Sequence, residues 1–139
     1  MSENIFIDSD VLIDFLIDRE PFSNDAATLI DISEKEKVIA FTSVLCLANI
    51  HYVIKKIVGE KKSREIIEGL IDIIKILSFS EENLRDALKS DFKDFEDAIQ
   101  NSIAIESNSI SSIITRNKKD YKSSDLNVFT PKEYLRKIV

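Results

Sequence analysis

Four aspartates, Asp8, Asp10, Asp14 and Asp18, sit inside "NIFIDSDVLIDFLIDREPF", one of the most apolar stretches of the chain. A carboxylate buried without a partner is strongly disfavoured, so a metal ion, helix-terminus amides or solvent must meet each of them. A second acidic group recurs every three residues in "DFKDFEDAIQ", at Asp91, Asp94 and Asp97. On a helix, Asp94 and Asp97 share a face with Asn101 one turn on, and Phe95, Ala98 and Ile99 take the core side. The same pattern also suits a solvated face with negative charge near a helix N-terminus. The third group is "IITRNKKDY", where Asn117 and Asp120 begin a loop flanked by Arg116, Lys118 and Lys119.

If these groups converge, one chemistry stands out. Carboxylates about 4 Å apart repel by on the order of 4 kcal/mol per pair at an effective dielectric of about 20. A divalent cation relieves that repulsion, and an all-oxygen donor set selects Mg²⁺ or Mn²⁺ over zinc. Such an ion activates water and stabilises phosphoryl-transfer transition states, while a basic loop faces a phosphate backbone. Hydrolysis of a phosphodiester is the reaction this pattern suggests.

The elements that must bring the groups together alternate from end to end. Residues 4–8 form a continuous apolar run, expected to be a buried strand that Asp8 terminates. Val11 to Ile17 keep helical spacing with Asp14 and Asp18 on another face, and "REPF" ends that helix at its proline. "SNDAATLIDISEKEK" is a helix with Ser23 or Asn24 as its cap, and "VIAFT" is a second strand. "SVLCLANIHYVIKKIVGEKK" carries the stripe Leu47, Ile50, Ile54, Ile57 and Val58 up to Gly59, a natural terminator. "EKKSREIIEGLIDIIK" is a further amphipathic helix. "ILSF" is expected as a strand before "SEENLRDALKS", whose helix starts near Ser80 or Asn83. A helix over "DFEDAIQNSIAIES", strands at "SSIIT" and "NVFT", and a last helix in "TPKEYLRKI" complete the order. This alternation predicts a parallel sheet with helices on both faces. In such sheets ligands bind outside the carboxyl ends of the strands, where Asp8 lies and where Asp10 either reaches the site or caps the first helix.

At 139 residues the chain has room for one core, without internal repeats or linkers. A hydrophobic share of 44% with 32% charged residues excludes intrinsic disorder, and a single cysteine, Cys46, excludes an internal disulfide and makes the cytoplasm the default compartment. No apolar run approaches the length of a membrane span. The net charge of -6 argues against nucleic acid as a partner unless a basic rim surrounds an acidic site.

These residues resemble the PIN domain family (named from the PilT N-terminus) as found in VapC-type toxin ribonucleases. "FIDSDVLID" resembles the family's first strand with its first catalytic aspartate, and "TSVLCLANIHYVIKK" resembles the helix after the second strand. "DFEDAIQNSIAIES" is similar to the helix with the third acid, and "IITRNKKDY" to the late strand and loop with the fourth. The resemblance implies an α/β fold in which residues 1–139 form a single PIN-like domain. It implies three layers, with a central, mostly parallel sheet of about four to five short strands. It places the first acid at Asp8 and the third at Asp97, with Asp94 as accessory and Asn117 or Asp120 as the fourth. The family's glutamate falls on Asn49, whose neutral amide weakens cation affinity. The implied activity is a Mg²⁺- or Mn²⁺-dependent ribonuclease. Asp8, Asp94, Asp97 and Asp120, with Asn117 and Asn49, would hold the metal, and Arg116, Lys118 and Lys119, helped by Lys55 and Lys56, would steer RNA. The implied partners are RNA, an antitoxin protein and a second copy of the chain.

Two other functions fit the residues less fully. Asn49 favours a PIN-like module that binds RNA or protein with little cleavage. "DSDVL" also suits an Asp-nucleophile phosphatase, with Asp8 attacking and Asp10 as acid/base. His51 reads as a packed or rim residue, Cys46 as a core side chain, and Tyr52 and Tyr121 as packing residues before stacking platforms.

Overall fold

A computed structural model describes residues 2–107 and 109–138. The apolar run predicted as a buried strand becomes β1 (Glu3–Ile7), the middle strand of a five-stranded sheet. Its neighbours are β2 (Val38–Ser43) and β4 (Ser112–Ile114), with β3 (Lys75–Leu77) and β5 (Asn127–Phe129) at the edges; the order is β3-β2-β1-β4-β5 and every pair is parallel. Because β1 is covered on both faces, alternate side chains enter different cores. Ile5 and Ile7 join one, and Phe6 joins the other. The first core lies under α1 (Ser9–Leu16), α2 (Ser23–Glu34), α3 (Val44–Val58), α4 (Glu60–Ile73) and α7 (Pro131–Ile138). The second lies under α5 (Glu81–Lys89), α6 (Phe95–Glu106) and a 3-10 turn over Lys118–Tyr121. The three-layer α/β arrangement is the one expected, with all strands parallel.

Several boundaries and faces differ from expectation. The helix expected from Val11 begins at Ser9, because Asp8 rather than Asp10 is its N-cap and accepts from the Ser9 N–H at 2.8 Å. It ends at Leu16, before the proline: Asp18 adopts φ 52, and the Arg19 N–H closes on the Asp14 carbonyl at 3.0 Å. Neither Ser23 nor Asn24 caps α2. The amides of Phe22 and Ser23 instead reach the Arg19 carbonyl, so the preceding turn does the work of a side-chain cap. The "ILSF" strand shifts to Lys75–Leu77, the only part that pairs with β2. Ile57 and Val58 leave the predicted stripe and stand exposed at the end of α3. Capping at Ser80 and Asn83, and at Thr130 with Glu133, lies where the sequence placed helix starts.

Gly59 separates α3 from α4 with φ 88 and ψ 169, a region open essentially to glycine alone. A Cβ there would meet no atom within 4 Å, so the backbone alone sets the cost of adding one. Gly59→Ala is expected to destabilise by about 1–3 kcal/mol, read as a lower denaturant midpoint at unchanged slope.

Candidate active site

From β1 the chain winds outward through β2 to β3, then crosses back to β4 on the other side of β1. The carboxyl ends of β1 and β4 therefore frame a crevice at the point where the strand order reverses, the usual ligand position in such sheets. Its walls are pinned by the ladder itself. The Asp8 N–H donates to the Ile114 carbonyl at 2.9 Å, the Thr115 N–H donates to Phe129 at 2.9 Å, and the Thr42 hydroxyl donates to the Ile7 carbonyl at 2.8 Å.

Asp8 is buried at the end of β1, one oxygen on the Ser9 N–H and the other 3.1 Å from the Thr115 hydroxyl. Asp10, in the first turn of α1, reaches the end of β4. Its Oδ2 collects the Thr115 hydroxyl at 3.2 Å, the Arg116 N–H at 3.1 Å and the Asn117 amide at 3.3 Å. Thr115 has one hydroxyl hydrogen and two carboxylates beside it, so it serves one at a time. The other oxygen of Asp10 is buried and has no hydrogen-bond partner among the described residues. Such an oxygen is costly unless something positive completes it.

Asp97 arrives from α6, and its electrostatics link it to β1. Burial pushes the Asp8 carboxyl up to about 7, and the charges of Asp10 and Asp97 add to that against the stabilising Ser9 and Thr115 donors. Asp97 is likewise pushed up to about 7 by burial, then by Asp94, Asp120 and Asp10, with the Tyr121 hydroxyl opposing. Burial also raises Asp10, while the Arg116 N–H, Thr115 and the Arg116 charge pull the other way. Asp8, Asp10 and Asp97 thus lie close enough for the charge of Asp10 to act on both other acids and that of Asp97 on Asp8, as carboxylates at functional sites often do.

The other predicted residues fall around this centre in unequal roles. Asp94 is the N-cap of α6, its Oδ1 accepting the Asp97 N–H at 2.9 Å, and its charge acts on Asp97. Asp120 is exposed on the 3-10 turn and acts on Asp97 in the same way. Asn117 is tied to Asp10. Asn49 donates to Glu96 at 2.9 Å, a carboxylate next to Asp97 that the sequence reading passed over. Arg116 forks onto Asp14, with Nε at 2.5 Å and Nη2 at 3.1 Å, and lies 4.1 Å from the Phe22 ring centre. Lys118 pairs with Glu133 at 3.1 Å, while Lys119 is exposed.

Some expectations need correcting. Phe95 is exposed, since the first turn of α6 hangs past the second core that holds Ala98 and Ile99. Asp14 is buried rather than solvated, because Arg116 reaches it from the end of β4. Tyr52 does not pack inside; it is 58% exposed with the Lys56 ammonium 4.1 Å from its ring centre. Tyr121 and Cys46 are core side chains as expected, and His51 is a rim residue 2.9 Å from Glu60. Thr115, which bonds both Asp8 and Asp10, was not singled out from the sequence. The signal for Thr115 was available, a hydroxyl directly after an apolar strand at the carboxyl edge.

Among the described residues, no three His, Cys, Asp or Glu side chains are grouped closely enough to cage a metal ion. The donors nonetheless suit a hard cation. The charges of Asp10 and Asp97 act on Asp8, one Asp10 oxygen is buried without a partner among the described residues, and Mg²⁺ commonly binds through one or two carboxylates while keeping several waters.

Comparison with known proteins bears on the family and the fold. Ribonuclease VapC1 of Aquifex aeolicus (strain VF5) is 28% identical over 138 residues, covering 96% of this chain and 94% of that protein. A toxin-antitoxin complex from Klebsiella pneumoniae shares the fold with a TM-score of 0.67 and 21% identity, over 91% of this chain and 97% of the other. FitAcB from Neisseria gonorrhoeae does so with a TM-score of 0.68 and 17% identity, over 92% and 98%. The family model for the PIN domain matches residues 4–119. That span starts in β1 and ends in the turn after β4, taking in both strands that frame the crevice and the helix that carries Asp97, and on this match the chain belongs to the PIN domain family.

Proposed function

We propose that the protein is a metal-dependent ribonuclease that hydrolyses RNA phosphodiesters at the Asp8–Asp97 pocket. The observation that carries this reading is the convergence of one buried carboxylate at the end of β1, Asp8, with half-buried ones from α1 and α6, Asp10 and Asp97. Each is held above the usual carboxylate range chiefly by desolvation, with neighbouring charges adding to it at Asp8 and Asp97. Asp8, Asp10 and Asp97 would hold Mg²⁺ or Mn²⁺, with Asp94, Asp120 and Asn117 around them; Asn49 stands off behind Glu96. A bound ion supplies charge neutralisation, a polarised phosphate and an acidified water. The chain's own part is orientation: Thr115, the Arg116 N–H and Asn117 fix Asp10, the Ser9 N–H fixes Asp8, and Lys119 offers an exposed charge to a phosphate. The similarity to Ribonuclease VapC1 supports RNA as substrate, and the likeness to a toxin-antitoxin complex supports an antitoxin protein as partner. PIN family membership leaves the phosphatase reading of "DSDVL" without support.

One feature favours a second reading, an RNA- or protein-binding module with little cleavage: Asn49 brings an amide where the family has a carboxylate, and spends its N–H₂ on Glu96. Incubation of structured RNA with the protein separates the two. Cleavage fragments are expected with Mn²⁺ and none after chelation; RNA retained intact in a mobility shift, with no fragments, would favour the binding module. Metal removal should also be visible in stability. At about 100 times its dissociation constant, Mn²⁺ is expected to stabilise the fold by about 2.7 kcal/mol. Because protons compete for Asp8 and Asp97, both near 7, that gain should shrink as the pH falls from 8 to 5.

A further inference from the structure

We propose that Tyr121 is a positioning residue of the acidic pocket, its buried hydroxyl serving as the fixed donor against which the Asp8 and Asp97 carboxylates are set when a divalent cation binds. This rests on the reading of the pocket as a metal-holding site. Tyr121 is 1% exposed and belongs to the second core, with Phe92 edge-on at 5.9 Å between ring centres and 78° between planes. The ring is therefore locked, and the hydroxyl cannot swing out to water.

Where the hydroxyl points is less easily explained by packing. It has no hydrogen-bond partner among the described residues, although the carboxylates of Asp8 and Asp97 are the charges nearest to act on it. Asp8 spends its oxygens on Ser9 and Thr115, and although Asp8 and Asp97 both lie within electrostatic reach of the hydroxyl, neither closes a full hydrogen bond on it. A buried hydroxyl without a partner is a cost that phenylalanine would avoid while filling the same space. The orphaned Oδ1 of Asp10 completes the picture: the pocket holds an unused buried donor and an unused buried acceptor at once. A cation would draw carboxylate oxygens inward and leave others free to accept from the hydroxyl, and outer partners of this kind commonly set metal affinity by about 10- to 100-fold.

The test is calorimetric titration of Mn²⁺ at pH 7.5 into the full chain, Tyr121→Phe and Asp8→Asn, with thermal unfolding of each in chelator. The expected result is that Tyr121→Phe unfolds at the same or a higher temperature without metal, yet binds Mn²⁺ about tenfold more weakly. Asp8→Asn should lose binding altogether. If Tyr121→Phe matches the natural affinity while Asp8→Asn loses it, the role of Tyr121 is wrong and the metal site stands. If Asp8→Asn also binds normally, or the natural chain binds no Mn²⁺, both are wrong. A Tyr121→Phe protein that is less stable in chelator would make the hydroxyl a structural group and overturn the positioning role.

Discussion

Asp8→Asn is expected to remove RNA cleavage and, in the absence of metal, to make the protein more stable at pH 8. The two effects have one cause. Asparagine keeps an oxygen for the Ser9 N–H, so α1 remains capped, since Asn and Asp are equivalent N-caps. What disappears is a buried negative charge beside Asp10 and Asp97. In the folded chain Asp8 titrates near 7, against 3.8 for the ordinary group, so the native state binds the proton more tightly than the unfolded state. Stability therefore falls as pH rises through this window, with no penalty below about pH 4 and the full penalty above about pH 7. A shift of this size corresponds to about 4 kcal/mol, an upper bound because it is shared among three mutually interacting carboxylates. Denaturant midpoints in chelator should accordingly coincide for natural protein and Asp8→Asn at pH 4, and separate in favour of the variant by pH 8. For cleavage, loss of a charge that neutralises and orients the ion should cost on the order of 10³-fold, comparable with removing a principal electrostatic group from an active site. Equal cleavage rates would remove Asp8 from the chemistry. Parallel pH-stability curves would show that its carboxylate is not held under strain.

This trade between stability and function explains why the site was partly legible in the sequence. A carboxylate placed where burial penalises it stands out against an apolar background, as Asp8 does, whereas Asp97 was reached through the threefold acidic spacing of its helix and the family resemblance. The sheet was legible for a related reason: "IFI" is too uniformly apolar for a half-exposed strand, and it lies at the centre. What failed were readings that depend on long-range partners. Asp14 follows Asp10 by one turn and looked solvated, yet its partner Arg116 lies 102 positions away and buries it. The choice between Asp8 and Asp10 as helix cap turned on whether α1 starts at Ser9 or Val11, and two residues of apolar pattern do not decide that. Tyr121 looked like core and is core; only its unpartnered hydroxyl sets it apart, and periodicity carries no information about one polar atom. Glu96 was hidden by its neighbours, since in "DFEDA" the flanking aspartates drew the attention and the residue between them is the one that meets Asn49.

Arg116→Ala is expected to cost about as much stability as truncating a core side chain, because Arg116 ties three parts of the fold together. Its guanidinium binds both oxygens of Asp14, whose side chain is 1% exposed, and stacks 4.1 Å from the centre of Phe22 at the entry to α2. Its backbone N–H meanwhile holds Asp10. Deleting the side chain leaves Asp14 with Arg19 alone, a 3.5 Å contact to a side chain that is 44% exposed. Removing one partner of a buried ion pair costs about 3–5 kcal/mol, and the remaining arginine places the expected loss near the lower bound, about 3 kcal/mol. An exposed pair would be worth only about 0–1 kcal/mol, so the magnitude itself tests whether the contact is buried. The double variant Asp14→Leu with Arg116→Met sharpens the test. It removes both charges while keeping volume, and should recover most of the lost stability, since replacing a buried pair by apolar residues is often neutral or stabilising. A loss below about 1 kcal/mol for Arg116→Ala, or no recovery in the double variant, would mean that the Asp14 carboxylate is not stranded when the guanidinium is gone.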